Sequence, residues 1–501
     1  MCENVYELKN KMVLTDEMQI NLFTKLLSLT PHCNINFPPN DIGLGNLFAE
    51  CFRDTLRFCV DNQQWYCYDD GVWVLDKGEI RTQRNMQILL QLLHLYCTEV
   101  TTDENEDEIR KYRQYINKSS SDVILRRGIN ASKNMLIIEL TDFDKDPYLL
   151  NCTNGVYDLR TGKIIPNSPE LYLTKKTNTY PLNAVTKKCD RWYQFIDEIM
   201  SHDKEKVAFL QRALGFSILG VNREECMFIA YGAKSRNGKG TLFSTLSAVL
   251  SSGYMGSVDT DLICVDKRGK VKDFNAPQPA LRKIVGTRIV TMSENDRDVL
   301  LASASMKAIT GRDELTTRGL YEAPITFTPQ FNMWLLTNYL PAVTDDTIFK
   351  SNRVWVLEFN EHFGNENRDN DLKDYFAQPK NLPTVLKWLM DGCVDYLKNG
   401  LNPPESVIKA TQNYKEQCDR ILMFLKDCCT FGDDKKVLRS SLYFAYERWC
   451  RKPENKFNPI GSQKFYKELA IRDFLITKTT GEYYVKGLDL INNTTNSINL
   501  L

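Results

Sequence analysis

A chain of 501 residues with 43% hydrophobic content carries enough apolar material for about three domains with sizeable cores, which excludes an extended disordered polymer. Lysine plus arginine and aspartate plus glutamate each total 64, so no global basic field draws nucleic acid and any such contact must be local. The opening MCENVYELKNKMVLTDEM lacks the basic and apolar regions of a secretory signal, and MQILLQLLHLYC is too short and polar to span a bilayer. The 15 cysteines include no CxxC pair and the 4 histidines are scattered, which fits reduced thiols in a cytosol better than a disulfide scaffold or a zinc site.

In chain order, WYCYDDGVWVLD predicts a hairpin of two aromatic strands around Asp69, Asp70 and Gly71. TDENEDEIRKYRQYI predicts a helix with acids in its first turns and basic residues after them, as the helix dipole favours. DPYLLNCTNGVYDLRTGKIIP supplies two more glycine-punctuated turns between short strands. From about Trp192, WYQFIDEIM and EKVAFLQRALGFSILG predict helices, and the apolar runs MFIAY, RIVTM and MWLLT predict strands of an α/β sheet covered on both faces. NLPTVLKWLMDGCVDYLKNG predicts a helix closed by Gly400, and the proline pair in LNPPESV marks a boundary. SSLYFAYERWCRK, GSQKFYKELAIRD and FLITKTTGEYYVKG read as helix, helix and hairpin. That order resembles a winged helix, a common DNA-binding module, and also occurs in structural or protein-docking domains. NNTTNSINLL predicts a loose tail.

The stretch YGAKSRNGKGT, Tyr231 to Thr241, lies between a strand-like and a helix-like run. Strand, glycine-rich loop and helix together point backbone N–H groups at an anion. Gly238 lets the backbone approach phosphates, Lys239 reaches the outer ones, and Gly232, Asn237 and Gly240 complete the loop. The hydroxyl that usually follows the lysine and binds magnesium is replaced by Gly240, so Thr241, one step later, is the metal candidate. KIVGTRIVTMSEND predicts a buried strand delivering Glu294 to its C-terminal edge, where ligands of parallel sheets sit; Asp296 and Asp298 read as solvated acids past the strand. FNMWLLTNYLP predicts a third strand with Asn338 at its tip, in reach of a γ-phosphate or attacking water, although an asparagine there also forms turns.

Taken together, Gly232, Glu294 and Asn338 at the ends of successive strands form a compact order that resembles the superfamily 3 helicases, ring ATPases of viral and plasmid replication. KAITGRDELTTRGLYEAPITFTPQF looks like that family's motif leading through a DNA-contacting hairpin, and TDDTIFKSNRVWVLEF like the segment carrying its arginine finger. FDKDPYLLNCTNGVYDLRTGKIIPNSPELYLTKKT resembles the domain preceding the ATPase in poxvirus-type and phage or plasmid primase-helicases.

The resemblance implies an AAA+-like P-loop ATPase core of α/β class, with an α+β N-terminal domain and a helical, winged-helix-like C-terminal region. The divisions it suggests are 1–195, 196–365, 366–490 and a tail at 491–501. It implies ATP and Mg2+ as cofactors, with Lys239 on the phosphates, Glu294 on magnesium or water, Asn338 as sensor and Arg353 reaching in from the next subunit. Arg318, in a hairpin turn, is the first DNA candidate, with Lys307, Arg312 and Tyr321 behind it and Lys464, Lys467 and Lys478 in the C-terminal region. The implied partners are single-stranded and forked DNA, further copies of the chain in a hexameric ring, and a separate primase or polymerase. The implied compartment is a cytoplasm, that of a bacterial host for a phage element, without membrane association.

Other readings make different demands. A complete primase-helicase would use paired acids such as Asp142 and Asp144, but a further acid and a histidine in a matching context are not evident. An origin-nicking initiator needs a histidine pair around one apolar residue, whereas His32, His94, His202 and His362 are isolated. A non-catalytic ATP-binding assembly or loading module could dispense with both Glu294 and Arg353.

Overall fold

The computed structural model describes residues 15–184, 187–265, 277–293, 300–319, 324–343, 347–364, 366, 369–453, 455, 459–479 and 481–491. At its N-terminal end, helices Asp16–Leu29, Asp41–Phe52, Ile80–Glu99, Glu106–Ser119 and Asp122–Ser132 accompany a four-stranded sheet. The predicted aromatic hairpin lies in that sheet, Gln64–Asp69 against Val72–Leu75. Its two turn residues, Asp70 at φ 48° and Gly71 at φ 79°, take the left-handed conformations that match a two-residue turn to strand twist. A three-stranded meander follows, Leu149–Cys152, Gly155–Asp158 and Lys163–Ile165, as the glycine punctuation predicts.

The centre of the molecule is a parallel sheet of five strands. They are β1 (Met227–Tyr231), β2 (Met255–Asp259), β3 (Ile289–Ser293), β4 (Asn332–Thr337) and β5 (Val354–Glu358), in the spatial order 5-1-4-3-2. Strands buried on both faces read as continuous apolar runs, and the alternation of side chains then divides the sheet between two cores. Phe228, Ala230, Ile289, Trp334 and Leu357 face one core, while Met227, Ile229, Val290, Met333, Leu335 and Val356 face the other. On the first face Phe228 stacks on Trp334 with centroids 4.5 Å apart.

Helices α1 (Lys204–Ser217), α2 (Lys239–Tyr254) and α3 (Leu382–Asn399) cover the first face. Gly400, at φ 68°, follows the last residue of α3. Past the proline pair the chain continues into α4 (Glu405–Cys418), which packs against β5; the Thr411 hydroxyl accepts from the Val356 N–H at 3.0 Å, and Tyr414 donates to the Pro341 carbonyl at 2.7 Å. Buried Arg288 joins the meander to the sheet, donating to the Ile218 and Leu149 carbonyls with its guanidinium 4.7 Å from the Tyr254 ring centre.

The C-terminal region has its own core around Phe424, Tyr446, Trp449 and Phe465. Its order is helix Arg420–Cys428, strand Cys429–Leu438, helices Arg439–Cys450 and Ser462–Ile471, then the hairpin Ile476–Thr479 and Glu482–Leu490. The last strand lies between the other two. All the described cysteines are free thiols, and no helix among the described residues is long and apolar enough to cross a membrane.

Candidate nucleotide site at the edge of the central sheet

Because the five strands run parallel, Tyr231, Asp259, Ser293, Thr337 and Glu358 end at one edge, as the register Tyr231–Thr337, Tyr231–Glu358 and Ser293–Asp259 shows. From β1 the chain crosses by α2 to the far strand β2, whereas from β4 it returns past β1 to β5. The connections therefore diverge between β1 and β4, and in open α/β sheets that divergence leaves a crevice where ligands bind.

The predicted loop fills this crevice. Gly238 sits at φ 85° immediately before α2, and a Cβ there would collide with the Ile199 side chain. At Gly232 a Cβ would strike the Asn237 amide, which donates to the Lys234 carbonyl at 2.7 Å and so closes the loop on itself. The segment after β5 braces the loop from outside: Phe363 N–H donates to the Arg236 carbonyl at 2.9 Å, and the His362 ring lies 2.7 Å from the Ser235 carbonyl.

Lys239 begins α2 with 7% of its surface exposed. Its Nζ donates to the Thr337 carbonyl at 3.0 Å and to Asn338 Oδ1 at 3.0 Å, with the Gly232 carbonyl at 3.5 Å. All three acceptors are neutral, and Lys239 has no carboxylate partner among the described residues. Burial pushes its pKa down to about 8, because lost hydration penalises the charged form. The first N–H groups of α2 have no partners within the helix and add positive potential at the same place. A buried ammonium and a helix N-terminus converging without an anion form a receptor for one.

Two family profiles match the chain, one described as D5 N terminal like over residues 45–201 and one as Poxvirus D5 protein-like over residues 416–484. Both matched segments are thus similar to D5-type proteins. The loop and strand tips lie between the two matched segments. A protein of Acanthamoeba polyphaga mimivirus, named for an inferred helicase role, is 26% identical over 429 residues, covering 78% of this chain and 43% of its own length. One of Invertebrate iridescent virus 3, similarly named, is 23% identical over 344 residues, covering 61% of this chain and 35% of its own. The chain thus spans less than half the length of these curated relatives. A solved apo structure of the NrS-1 C-terminal region aligns with a TM-score of 0.47 at 10% identity, covering 90% of this chain and all of that one.

Of the other site residues expected from sequence, Glu294 and Tyr321 lie outside the described residues; Glu294 follows directly on Ser293 at the tip of β3. Thr241 lines a cavity at the start of α2 together with Gly240. Arg353 precedes β5 and so lies at the opposite edge of the sheet, where it donates to Glu225 at 2.7 Å, to the Thr310 hydroxyl at 3.0 Å and to the Glu225 and Lys307 carbonyls at 3.4 Å. Arg312 joins the same cluster, 3.5 Å from Glu225 and donating to the Arg223 carbonyl at 2.6 Å, while Lys307 hydrogen-bonds Thr347. Lys307 and Arg312 therefore accompany Arg353, and Glu225, which sequence reading passed over, organises this edge.

Arg318 is exposed just after Leu315–Thr317, which pairs antiparallel with Ile325–Phe327 as the predicted hairpin requires. Lys464, Lys467 and Lys478 are also exposed, the first two on helix Ser462–Ile471 and the third in the terminal hairpin. Asp142 accepts from the Glu139 N–H at 3.1 Å, and Asp144 accepts from the Thr174 N–H at 2.9 Å and pairs with Lys175 at 2.5 Å. Asp142 thus holds a local turn, and Asp144 ties its loop to the segment at Thr174 and Lys175. Among the described residues no three His, Cys, Asp or Glu side chains are grouped so as to hold a metal.

Proposed function

We propose that this chain is an ATP-hydrolysing DNA helicase of the superfamily 3 kind, acting as a homo-oligomeric ring, of six subunits on the family pattern, in replication of a viral or mobile DNA element. The observation that carries the reading is Lys239, a buried ammonium held, among the described residues, only by neutral oxygens at the crevice between β1 and β4. A nucleotide's outer phosphate supplies the missing charge there and lies within reach of Asn338. The strand order 5-1-4-3-2 fits an AAA+-like P-loop core, and the helicase names of the viral relatives agree with this use of it.

In this mechanism Lys239 and the α2 N–H groups hold the phosphates, and Asn338 shares the outer one with Lys239 and registers its presence. Glu294, one residue beyond β3, polarises the attacking water. Mg2+ arriving with the nucleotide would neutralise phosphate charge, with Thr241 and Glu294 as the residues to hold it. Arg353 stands a full strand away from the loop, roughly 16 Å at about 3.3 Å per residue, too far to serve its own chain's nucleotide. In a ring it reaches the neighbour's site after leaving Glu225, and an arginine supplied in this way to GTPases is worth about 10³ to 10⁵ in rate.

Several copies of Arg318 around a pore give a positive track for a single strand even though net charge is zero. The C-terminal lysines make duplex or loading contacts in this reading, with helix Ser462–Ile471 as the reading element.

Steady-state ATP turnover, with and without single-stranded DNA, tests the proposal. Wild type should hydrolyse ATP faster with DNA, and Lys239→Ala should not hydrolyse it. Near-normal turnover by a folded Lys239→Ala chain contradicts the site. Nucleotide binding without turnover in wild type would instead indicate an assembly module.

A further inference from the structure

A cavity of about 380 Å³ adjoins the loop. Asn237, Gly238, Gly240 and Thr241 form one wall, helix Asp190–Ile199 contributes Phe195 and the Arg191–Glu198 pair, and Phe363, Leu372 and Lys373 come from beyond β5. Lys239 is not part of its lining, because the Lys239 ammonium lies at the tips of β1 and β4.

The acids of the cavity are already engaged. Glu198 holds Arg191 through two bonds of 3.0 and 3.2 Å, and Asp369 accepts from the Asp371 N–H at 3.0 Å. Lys373 is different. It comes from helix Leu372–Ala377, it is exposed, and its Nζ lies 3.6 Å from where a Cβ on Gly240 would stand. Among the described residues it makes no hydrogen bond or ion pair.

Two ammonium groups without a carboxylate partner among the described residues thus bracket the start of α2, Lys239 at the strand tips and Lys373 over Gly240. One phosphate needs only the first; a chain of phosphates leading into the cavity passes both. We propose that the cavity takes the sugar and base of the nucleotide and that Lys373 is a positioning residue for its inner phosphates, an inference that rests on the nucleotide reading above. Phe195, Phe363 and Leu372 offer the apolar surface a base requires. Glycine at position 240 follows from the same geometry, since a side chain longer than a methyl would grow into the space of the Lys373 ammonium and the phosphate it holds.

The experiment is calorimetric titration of the full chain with AMP, ADP and ATP in wild type, Lys373→Met, Lys373→Arg and Lys239→Met, with AMP measured by displacement of ADP. A charge-assisted contact to the inner phosphate predicts that Lys373→Met weakens all three nucleotides by a similar factor, about tenfold. Lys373→Arg should restore most of the affinity, and in turnover assays the loss should fall on KM more than on kcat. Lys239→Met should weaken ATP most and AMP least. Wild-type affinity for AMP and ADP in Lys373→Met overturns the inference while leaving the nucleotide site intact. Failure of wild type to bind any nucleotide overturns the function itself, so the two failures are distinct.

Discussion

At one edge of the central sheet Arg353 gives its guanidinium to Glu225, the Thr310 hydroxyl and two carbonyls, whereas at the other Lys239 is buried more deeply and bonds, among the described residues, only neutral oxygens. Both are cations at strand ends of the same sheet. The first has its countercharge within the chain and contributes to stability where it stands. The second bears a desolvation cost that only an added anion relieves. Within one fold, then, an electrostatically complete cluster marks what holds the sheet, and an incomplete one marks what the sheet presents.

Substitutions at the two edges should therefore have opposite effects on folding stability. The largest effect is expected for Lys239→Met, which should lower ATP turnover by at least about 10²-fold, as loss of a transition-state charge contact does. It should also raise folding stability at pH 7, by roughly 1 kcal/mol once solvent screening is allowed for, because an unpaired buried ammonium has been removed. The sign with pH follows from the depressed value of about 8. Both folded and unfolded chains are protonated below pH 8, so the cost is present in full. Between about 8 and the ordinary lysine value near 10.4 the unfolded chain holds more protons, so wild-type stability rises and the advantage of Lys239→Met shrinks. Thermal melts of both proteins at pH 7 and pH 9.5 check this, and a destabilised Lys239→Met chain at pH 7 would break the comparison.

Arg353→Ala should lose turnover and stability together, by about 10²-fold or more and about 1 to 3 kcal/mol, since Glu225 is left without its principal partner. Mixed with Lys239→Ala, it should recover measurable ATPase once labelled subunits are shown to exchange, because some interfaces then combine a sound Lys239 with a sound Arg353. A mixture no more active than its components assigns Arg353 a structural role alone. Glu225→Gln should cost less, about 1 kcal/mol in a denaturant melt, as the pair is partly solvated.

The smallest effects belong to DNA. Lys464→Ala and Lys467→Ala should each weaken duplex binding a few-fold and reduce the salt slope by about one, while Arg318→Ala should weaken single-strand binding instead. Equal losses on both DNA forms from all three would remove the proposed division of labour.

Much of this was legible in the sequence because it is local. A loop of glycines and a lysine between an apolar strand and a helix carries its own geometry, and the aromatic hairpin announces its turn with Asp70 and Gly71. Strand β2 was not legible. It is an edge strand with only Met255 and Val258 buried, so MGSVD lacks the continuous apolar run that betrays β1, β3 and β4. The pairing of Arg353 with Glu225 joins residues 128 apart, and Lys373 meets Gly240 only because the helix after β5 folds back over the loop. No periodicity records such meetings. The register of the sheet creates them.

The central claim is that Lys239 is an ammonium awaiting a nucleotide phosphate, and proton uptake on binding tests it most directly. At pH 8.5 much of the Lys239 amine of the free chain is neutral, and an incoming phosphate restores its charge. Titration calorimetry with ATP in buffers of different ionisation enthalpy should show uptake of a substantial fraction of a proton in wild type, less at pH 7, and almost none in Lys239→Arg, whose guanidinium stays charged throughout. Binding of ATP without proton uptake at pH 8.5, or with uptake that persists unchanged in Lys239→Arg, would contradict the claim.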